Sequence, residues 1–292
     1  MFFRNVITRL LISCCLPLMF SLIAHADSTD KSEPQPLAIG SQMPAFELAD
    51  FRGHAWSSSE FAEKHVLAVV FFGTECPLVK LYAPRLKQIQ DELAAEGVQL
   101  VGINSCRQDS LAEIGHFARV TNIEFPLLKD PGNKVADAFG AERTPEIFIF
   151  NADRKLCYRG RIDDQYTYGR QRPEVQREYM LDAIRKIQAD KTPEPQTTSP
   201  VGCLIGRVFA EKKSESINYS QQISRILQKR CVRCHRPGEI APFSLTDYDE
   251  VVGWAEMMRE VVNENRMPPW HANPAHGEFS NDASLTQEEK EL

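Results

Sequence analysis

The chain is short of positive charge: 34 Lys and Arg stand against 40 Asp and Glu, for a net charge of −6 at pH 7. Phosphate contacts need Lys and Arg in excess, so this balance argues against nucleic acid as a partner. Cysteine is sparse, 8 in 292 residues, too few for a fold held together by a disulfide framework. Beyond residue 26 no apolar run approaches the ~20 residues that span a bilayer. No internal repeat is visible, which sets aside solenoids and arrays. What remains is an ordinary globular balance, 42% hydrophobic and 25% charged. The length suggests about two domains at ~100–200 residues each.

Residues 1–26 read as an address. Arg4 and Arg9 precede an apolar run from Leu10 to Ala24, and Ala24-His25-Ala26 is a small-x-small cleavage site. This is the anatomy of a secretory signal peptide. The run is interrupted by Cys14, Cys15 and Pro17 and is short for a membrane anchor. A lipobox reading of Leu11-Ile12-Ser13-Cys14 would leave most of the apolar run in the mature protein. Export to the periplasm or cell envelope is therefore expected. There Cys76, Cys106, Cys157, Cys203, Cys231 and Cys234 meet an oxidising compartment, bridged or bound to a cofactor.

A polar leader, 27–36, comes before the first periodic structure. Val66–Phe72 and Val98–Ile103 are continuous apolar runs, predicted as buried strands. Leu81, Leu86, Ile89 and Leu93 recur at helical spacing before Gly97. Helices are predicted at 110–120, Lys134–Phe139 and Glu174–Ala189. Phe125–Leu128 is a short candidate strand, and Ile147–Phe150 pairs through the turn at 151–154 with Lys155–Arg161. The alternation points to an α/β unit with a mixed sheet over 37–190. The Pro-rich stretch at 191–215 reads as linker and connector. In 216–292, helices are predicted near Tyr219–Gln228 and Tyr248–Val262. Thr286 and Glu289 form a capping box for a final helix that stops after about one turn, as in a truncated chain.

Cys231-Val-Arg-Cys234-His235 is the attachment signature of c-type haem, two thiols for the porphyrin vinyl groups and a histidine for the iron. Zinc on Cys231, Cys234, His271 and His276 is an alternative, but the gap from Cys234 to His271 is far from zinc-finger spacing. A plain disulfide is another. With Arg266-Met267-Pro268-Pro269-Trp270 downstream, 217–292 resembles a small class I cytochrome c. The resemblance implies one covalent haem c on Cys231 and Cys234, with His235 and Met267 as axial ligands. His271 is the rival to Met267. It also implies that the Pro242 carbonyl accepts the histidine's other N–H. Such ligation suits electron transfer.

In Phe72-Gly73-Thr74-Glu75-Cys76-Pro77 a buried strand runs into a cysteine at a helix N-terminus, where the macrodipole favours thiolate. Leu37–Ala189 resembles the redoxin and thiol–disulfide oxidoreductase branch of the thioredoxin fold. The resemblance implies a cis Thr144–Pro145 bond facing Cys76. Three departures stand out. Val79 occupies the place of a second active-site cysteine, Glu75 that of the tryptophan, and Gly73 that of a peroxiredoxin threonine. Glu75 also opposes a neighbouring thiolate. Candidate partners for Cys76 are Cys106, Cys157 and Cys203. Cys203 is favoured because it stands outside the periodic elements on a segment able to fold back over the site. The alternative is a buried, inert Cys76. Tyr158–Asp164 reads as a solvated hairpin end, and His54, His65 and His116 show no ligand spacing.

The expected architecture is thus a thioredoxin-like α/β domain followed by a small all-α cytochrome c domain. The expected function is an exported oxidoreductase acting on thiols or peroxides, with a haem for electron transfer. Its partners would be redox proteins or small thiol or peroxide substrates. Two alternatives remain: a haem electron carrier with a non-catalytic redoxin scaffold, and the front part of a longer copper monooxygenase-type protein.

Overall fold

A computed structural model describes residues 35–208, 217–269, 274–277 and 279–292. The predicted signal peptide and His271 lie outside the described residues. The elements are β1 (Glu47–Asp50), β2 (Ala55–Ser57), β3 (Val66–Phe71), α1 (Pro77–Leu93), β4 (Val98–Asn104), α2 (Leu111–Thr121), β5 (Leu127–Lys129), α3 (Lys134–Phe139), β6 (Arg143–Thr144), β7 (Glu146–Phe150), β8 (Leu156–Gly160), β9 (Tyr166–Thr167), β10 (Arg170–Gln171), α4 (Tyr179–Gln188), β11 (Cys203–Leu204), α5 (Ser224–Arg230), α6 (Tyr248–Asn263) and α7 (Gln287–Glu291).

Seven strands form one mixed sheet in the order β2-β1-β5-β4-β3-β7-β8. β3, β4 and β5 are parallel, and β1, β7 and β8 join antiparallel. In β3 the side chains alternate between faces, with Val66, Ala68 and Val70 on one side and Leu67, Val69 and Phe71 on the other. Both faces are covered, which is why the strand reads as an unbroken apolar run. On the first face α1 contributes Tyr82, Leu86 and Ile89, α2 Ile114 and Phe117, and α4 Met180 and Ile184. On the second, Phe139 of α3 meets Phe71, Phe148 and Phe150 edge to face, with ring centroids 5.4–5.8 Å apart. This is the mixed sheet flanked by helices of the thioredoxin fold.

Several elements depart from the sequence prediction. α4 begins at Tyr179 rather than Glu174, because the carboxylate of Asp164 takes the N–H groups of Gln176 and Arg177 and holds that stretch out of the helix. The β1–β2 hairpin was not predicted. It closes on Asp50, whose carboxylate accepts from Arg52 N, His54 N and Trp56 Nε1. Tyr158–Asp164 is not a solvated end. Tyr158, Ile162 and Asp163 are buried, and Asp163 binds the Tyr82 hydroxyl and Arg85 on α1. The Pro-rich stretch is laid along β8: Arg159 N donates to Gln196 O and Thr198 N to Arg159 O, both at 3.0 Å.

In the C-terminal part a π-type turn at Tyr219–Ile223 leads into α5. The capping box of Thr286 and Glu289 starts α7, and Arg230 on α5 pairs with Glu289 at 2.9 Å. Among the described residues no helix is long and apolar enough to cross a membrane.

Truncating Phe139 to alanine removes the ring that joins three strand aromatics. We expect Phe139→Ala to cost about 3–5 kcal/mol in reversible denaturant unfolding, whereas Leu81→Ala on the exposed face of α1 stays within about 0.5 kcal/mol.

Candidate active site

Strand β3 delivers the chain into a turn in which Cys76 N–H donates to Gly73 O at 3.2 Å. Cys76 is the N-cap of α1 and Pro77 its first residue, a position where proline wastes no donor. The Cys76 side chain is fully buried. Facing it, the Thr144–Pro145 bond is cis, and β6 just before it pairs antiparallel with β11, Cys203 opposite Thr144. A Cβ on Gly202 would lie 2.0 Å from the Thr144 carbonyl oxygen, and its φ is +150°, so glycine is required for the two backbones to meet. The result brings Cys203 alongside the Thr144 whose carbonyl accepts from the Cys76 thiol. Both cysteines are unbridged.

The surroundings favour negative charge on Cys76. Burial alone would raise its pKa, but donors from the Cys203 side chain, the Thr144 side chain and the N–H groups of Cys203 and Val79 outweigh it and bring the thiol down to about 6. The protonated form has its own acceptor, the Thr144 carbonyl at 3.0 Å. Bonding to Cys76 and burial push the Cys203 thiol up, so within the pair Cys76 carries the charge. Glu75, which the sequence sets against a thiolate, lies 3.8 Å from Lys80, and burial raises its carboxyl. Lys80 thus offsets part of its charge.

Gly73 explains the missing peroxiredoxin threonine. A Cβ there would meet Cys106 Sγ at 3.0 Å and Thr144 Oγ1 at 3.4 Å, so Cys106 fills the space a threonine would need. Cys106 is buried, and burial and nearby Asp109 push its thiol up, which keeps it protonated. Cys157, half-buried on β8, directs its sulfur to Lys155 O instead. Sequence reasoning missed the polar shell behind the loop. Buried Asp109 accepts from Thr74 N at 2.7 Å and from Asn104 Nδ2 at 2.5 Å, while Lys129 donates to Asn104 Oδ1 and Cys106 O. It missed Glu146 too, whose buried carboxyl accepts from Glu142 N and Arg143 N and so shapes β6. Burial raises Glu146 to about 7. The only trace of these residues in the sequence is a charge standing beside an apolar strand.

In the C-terminal part Cys231, Cys234 and His235 share one tight turn, in which Cys234 N and His235 N both donate to Cys231 O at 3.0 Å. His235 Nδ1 lies 3.2 Å from the Phe243 carbonyl, one residue beyond the predicted Pro242. Its ring rests on Phe243, which stacks on Trp254 of α6 at 4.0 Å. Burial pushes the Cys231 thiol up to about 11 and the His235 ring down. Met267 N–H donates to Val261 O at the end of α6, and its side chain is partly exposed. Among the described residues no cluster of three or more His, Cys, Asp or Glu side chains is arranged to hold a metal ion.

The family model described as AhpC/TSA family matches residues 39–159. Thiol-disulfide oxidoreductase ResA of Bacillus subtilis (strain 168) is 27% identical over 122 residues, 42% of this chain and 66% of that protein. Peroxiredoxin Bcp of Escherichia coli (strain K12) is 30% identical over 105 residues, 36% of this chain and 65% of that protein. The chain spans less than two thirds of the length of the first curated relatives it matches. Two crystal structures share the fold. One is a hypothetical protein of Sinorhizobium meliloti 1021, with TM-score 0.57, 27% identity, and coverage of 60% of this chain and 98% of that one. The other is an uncharacterized conserved protein of Geobacillus kaustophilus, with TM-score 0.54, 25% identity, and coverage of 60% and 94%. The chain therefore contains a thioredoxin-like thiol–disulfide redoxin domain.

In the reduced protein, the ultraviolet thiolate absorbance that Cys76→Ser removes is expected to rise through about pH 6. Cys203→Ala removes one of the donors, so the rise should move up toward pH 9; an unchanged midpoint would show that Cys203 does not stabilise the thiolate.

Proposed function

We propose that this chain is an exported redox protein that runs two-electron thiol chemistry on Cys76 and Cys203 and carries one c-type haem in residues 216–292. The observation that carries the thiol reading is the buried Cys76 sulfur at the N-cap of α1, facing the cis Thr144–Pro145 bond, with Cys203 paired opposite Thr144. The Cys76 thiolate attacks one sulfur of a disulfide substrate, and the other sulfur leaves as a thiolate and takes a proton. Cys203 then gives up its proton and attacks the Cys76 sulfur of the mixed disulfide, releasing the second substrate thiol. The substrate gains two electrons and two protons, and the protein holds a Cys76–Cys203 disulfide until an external dithiol reduces it. With a hydroperoxide, oxygen transfer to Cys76 yields an alcohol and a sulfenic acid, which Cys203 condenses to the same disulfide with loss of water.

The donor set of the C-terminal turn supports the haem reading. Two thiols and a histidine lie together, and the Phe243 carbonyl engages Nδ1, which would leave Nε2 for an iron. Apolar side chains surround the motif: Leu227, Leu245, Val251 and Trp254 are buried, while Val232, Phe243, Met257 and Met258 are only partly so. Bound haem would supply one-electron transfer. His235 and Met267 would hold the iron, with Cys231 and Cys234 as thioether anchors. Periplasmic or envelope location follows from the predicted leader and the requirement that c-type haem be attached outside the cytoplasm.

Three measurements test this. After mild oxidation, peptide mapping should find Cys76 joined to Cys203, with Cys106 and Cys157 still free to alkylate once the protein is denatured; Cys76→Ser and Cys203→Ser should each lose turnover of a disulfide or peroxide. Protein matured in a haem-ligating host should show sharp reduced α and β bands that vanish in the Cys231→Ser, Cys234→Ser double variant. A weak far-red band should disappear in Met267→Ala alone.

A further inference from the structure

β11 is two residues long, and a ribbon that short does not hold its place by its own hydrogen bonds. One of its sides is paired to β6. The other meets α6: the Leu204 N–H, next to Cys203, points at Met257 Sδ at 3.4 Å. One turn further, Glu260 Oε2 pairs at 2.6 Å with Arg143 Nη2 of β6. Arg143 Nη1 in turn donates to Gly202 O at 2.9 Å and to the Tyr168 hydroxyl at 2.6 Å, and that hydroxyl donates to Gly202 O at 2.6 Å. Arg266 closes the group, pairing with Glu260 and lying 4.3 Å above the Tyr168 ring. The helix is flush with this surface, since a Cβ on Gly253 would stand 2.5 Å from Gln108 Oε1. The Arg143 and Glu260 side chains are more than four-fifths buried, so their pairing is far less screened than a surface ion pair.

We infer that α6, which follows the haem motif in sequence, is part of the thiol site: Met257 and Glu260 are positioning residues that hold β11 in the register setting Cys203 against Cys76. Neither is a catalytic residue. Met257 fixes the chain beside Cys203 from the side opposite β6. Glu260 orients Arg143, which grips the Gly202 carbonyl on the other side of Cys203. The redoxin domain alone is then incomplete, and its resolving thiol is placed by a helix that also carries Trp254 against the haem-motif loop. The inference rests on the Cys76–Cys203 reading.

The test is the equilibrium of the Cys76–Cys203 disulfide with glutathione redox buffers, read by alkylation and mass in the full-length protein. Met257→Leu keeps the volume and removes the sulfur acceptor; Glu260→Gln keeps the shape and removes the charge. We expect the double variant to lower the disulfide formation constant ~10-fold, equal to ~30 mV for a two-electron couple. The onset of Cys76 thiolate should shift upward in parallel, and Glu260→Asp should restore part of both. Should the double variant not fold, Glu260→Gln alone is read for the same sign. Formation constants equal to wild type, with or without a lower denaturation midpoint, would overturn the inference and leave the thiol pair standing. Failure of the wild type to form this disulfide at any buffer ratio would instead remove the pair itself.

Discussion

The antiparallel meeting of Cys203 with Thr144 determines the chemistry of this molecule. Thr144 precedes the cis proline, its carbonyl and hydroxyl both face the Cys76 sulfur, and the strand beside it carries the second thiol. A buried sulfur would ordinarily stay protonated, since desolvation penalises the charged form. Here several donors converge from three pieces of chain, the first turn of α1, β6 and β11, and together they exceed the desolvation cost. Glu146 shapes β6 and Asp109 braces the loop before Cys76, so two buried carboxyls that never touch the sulfur help define where it sits.

Much of the fold was legible because the sheet is buried on both faces. Continuous apolar runs at Val66–Phe71 and Ile147–Phe150 need no partner to be seen, and Gly97 and Gly140 mark helix ends by their own conformational freedom. The first half of the site was equally visible, as a cysteine between a buried strand and a helix. The elements that went unseen are those defined by partners far along the chain. β11 is a strand only because β6 lies beside it. The start of α4 depends on Asp164, and the place of Tyr158–Asp164 depends on Tyr82 and Arg85. No local pattern encodes the pairing of Arg143 with Glu260, since it joins β6 to a helix more than a hundred residues away.

Gly73 shows how one position can separate relatives. The chain resembles both disulfide exchangers and peroxidases, yet it carries the hallmark pair of neither. Where a peroxidase would place a hydroxyl, Cys106 occupies the volume; where an exchanger would place its second cysteine, Val79 packs in the core of α1. The second thiol comes instead from Cys203, past the last proline of the Pro-rich stretch. The C-terminal helices are consequently more than an appendage: the helix that stacks Trp254 on Phe243 also lies against Leu204.

The zipping of the Pro-rich stretch onto β8 sets the length of a leash. Thr198 and Ser199 are bonded to Arg159 and Arg161, which leaves only Pro200, Val201 and Gly202 before Cys203. The four steps from Ser199 to Cys203 reach no more than ~14 Å of extended chain. If the strand lifts to admit a substrate, its sulfur stays within that radius, and closure of so short a tether takes on the order of 100 ns or less. The thiol would then be back beside Cys76 before any second molecule arrives, which leaves the pace of internal resolution to the proton that Cys203 has to give up.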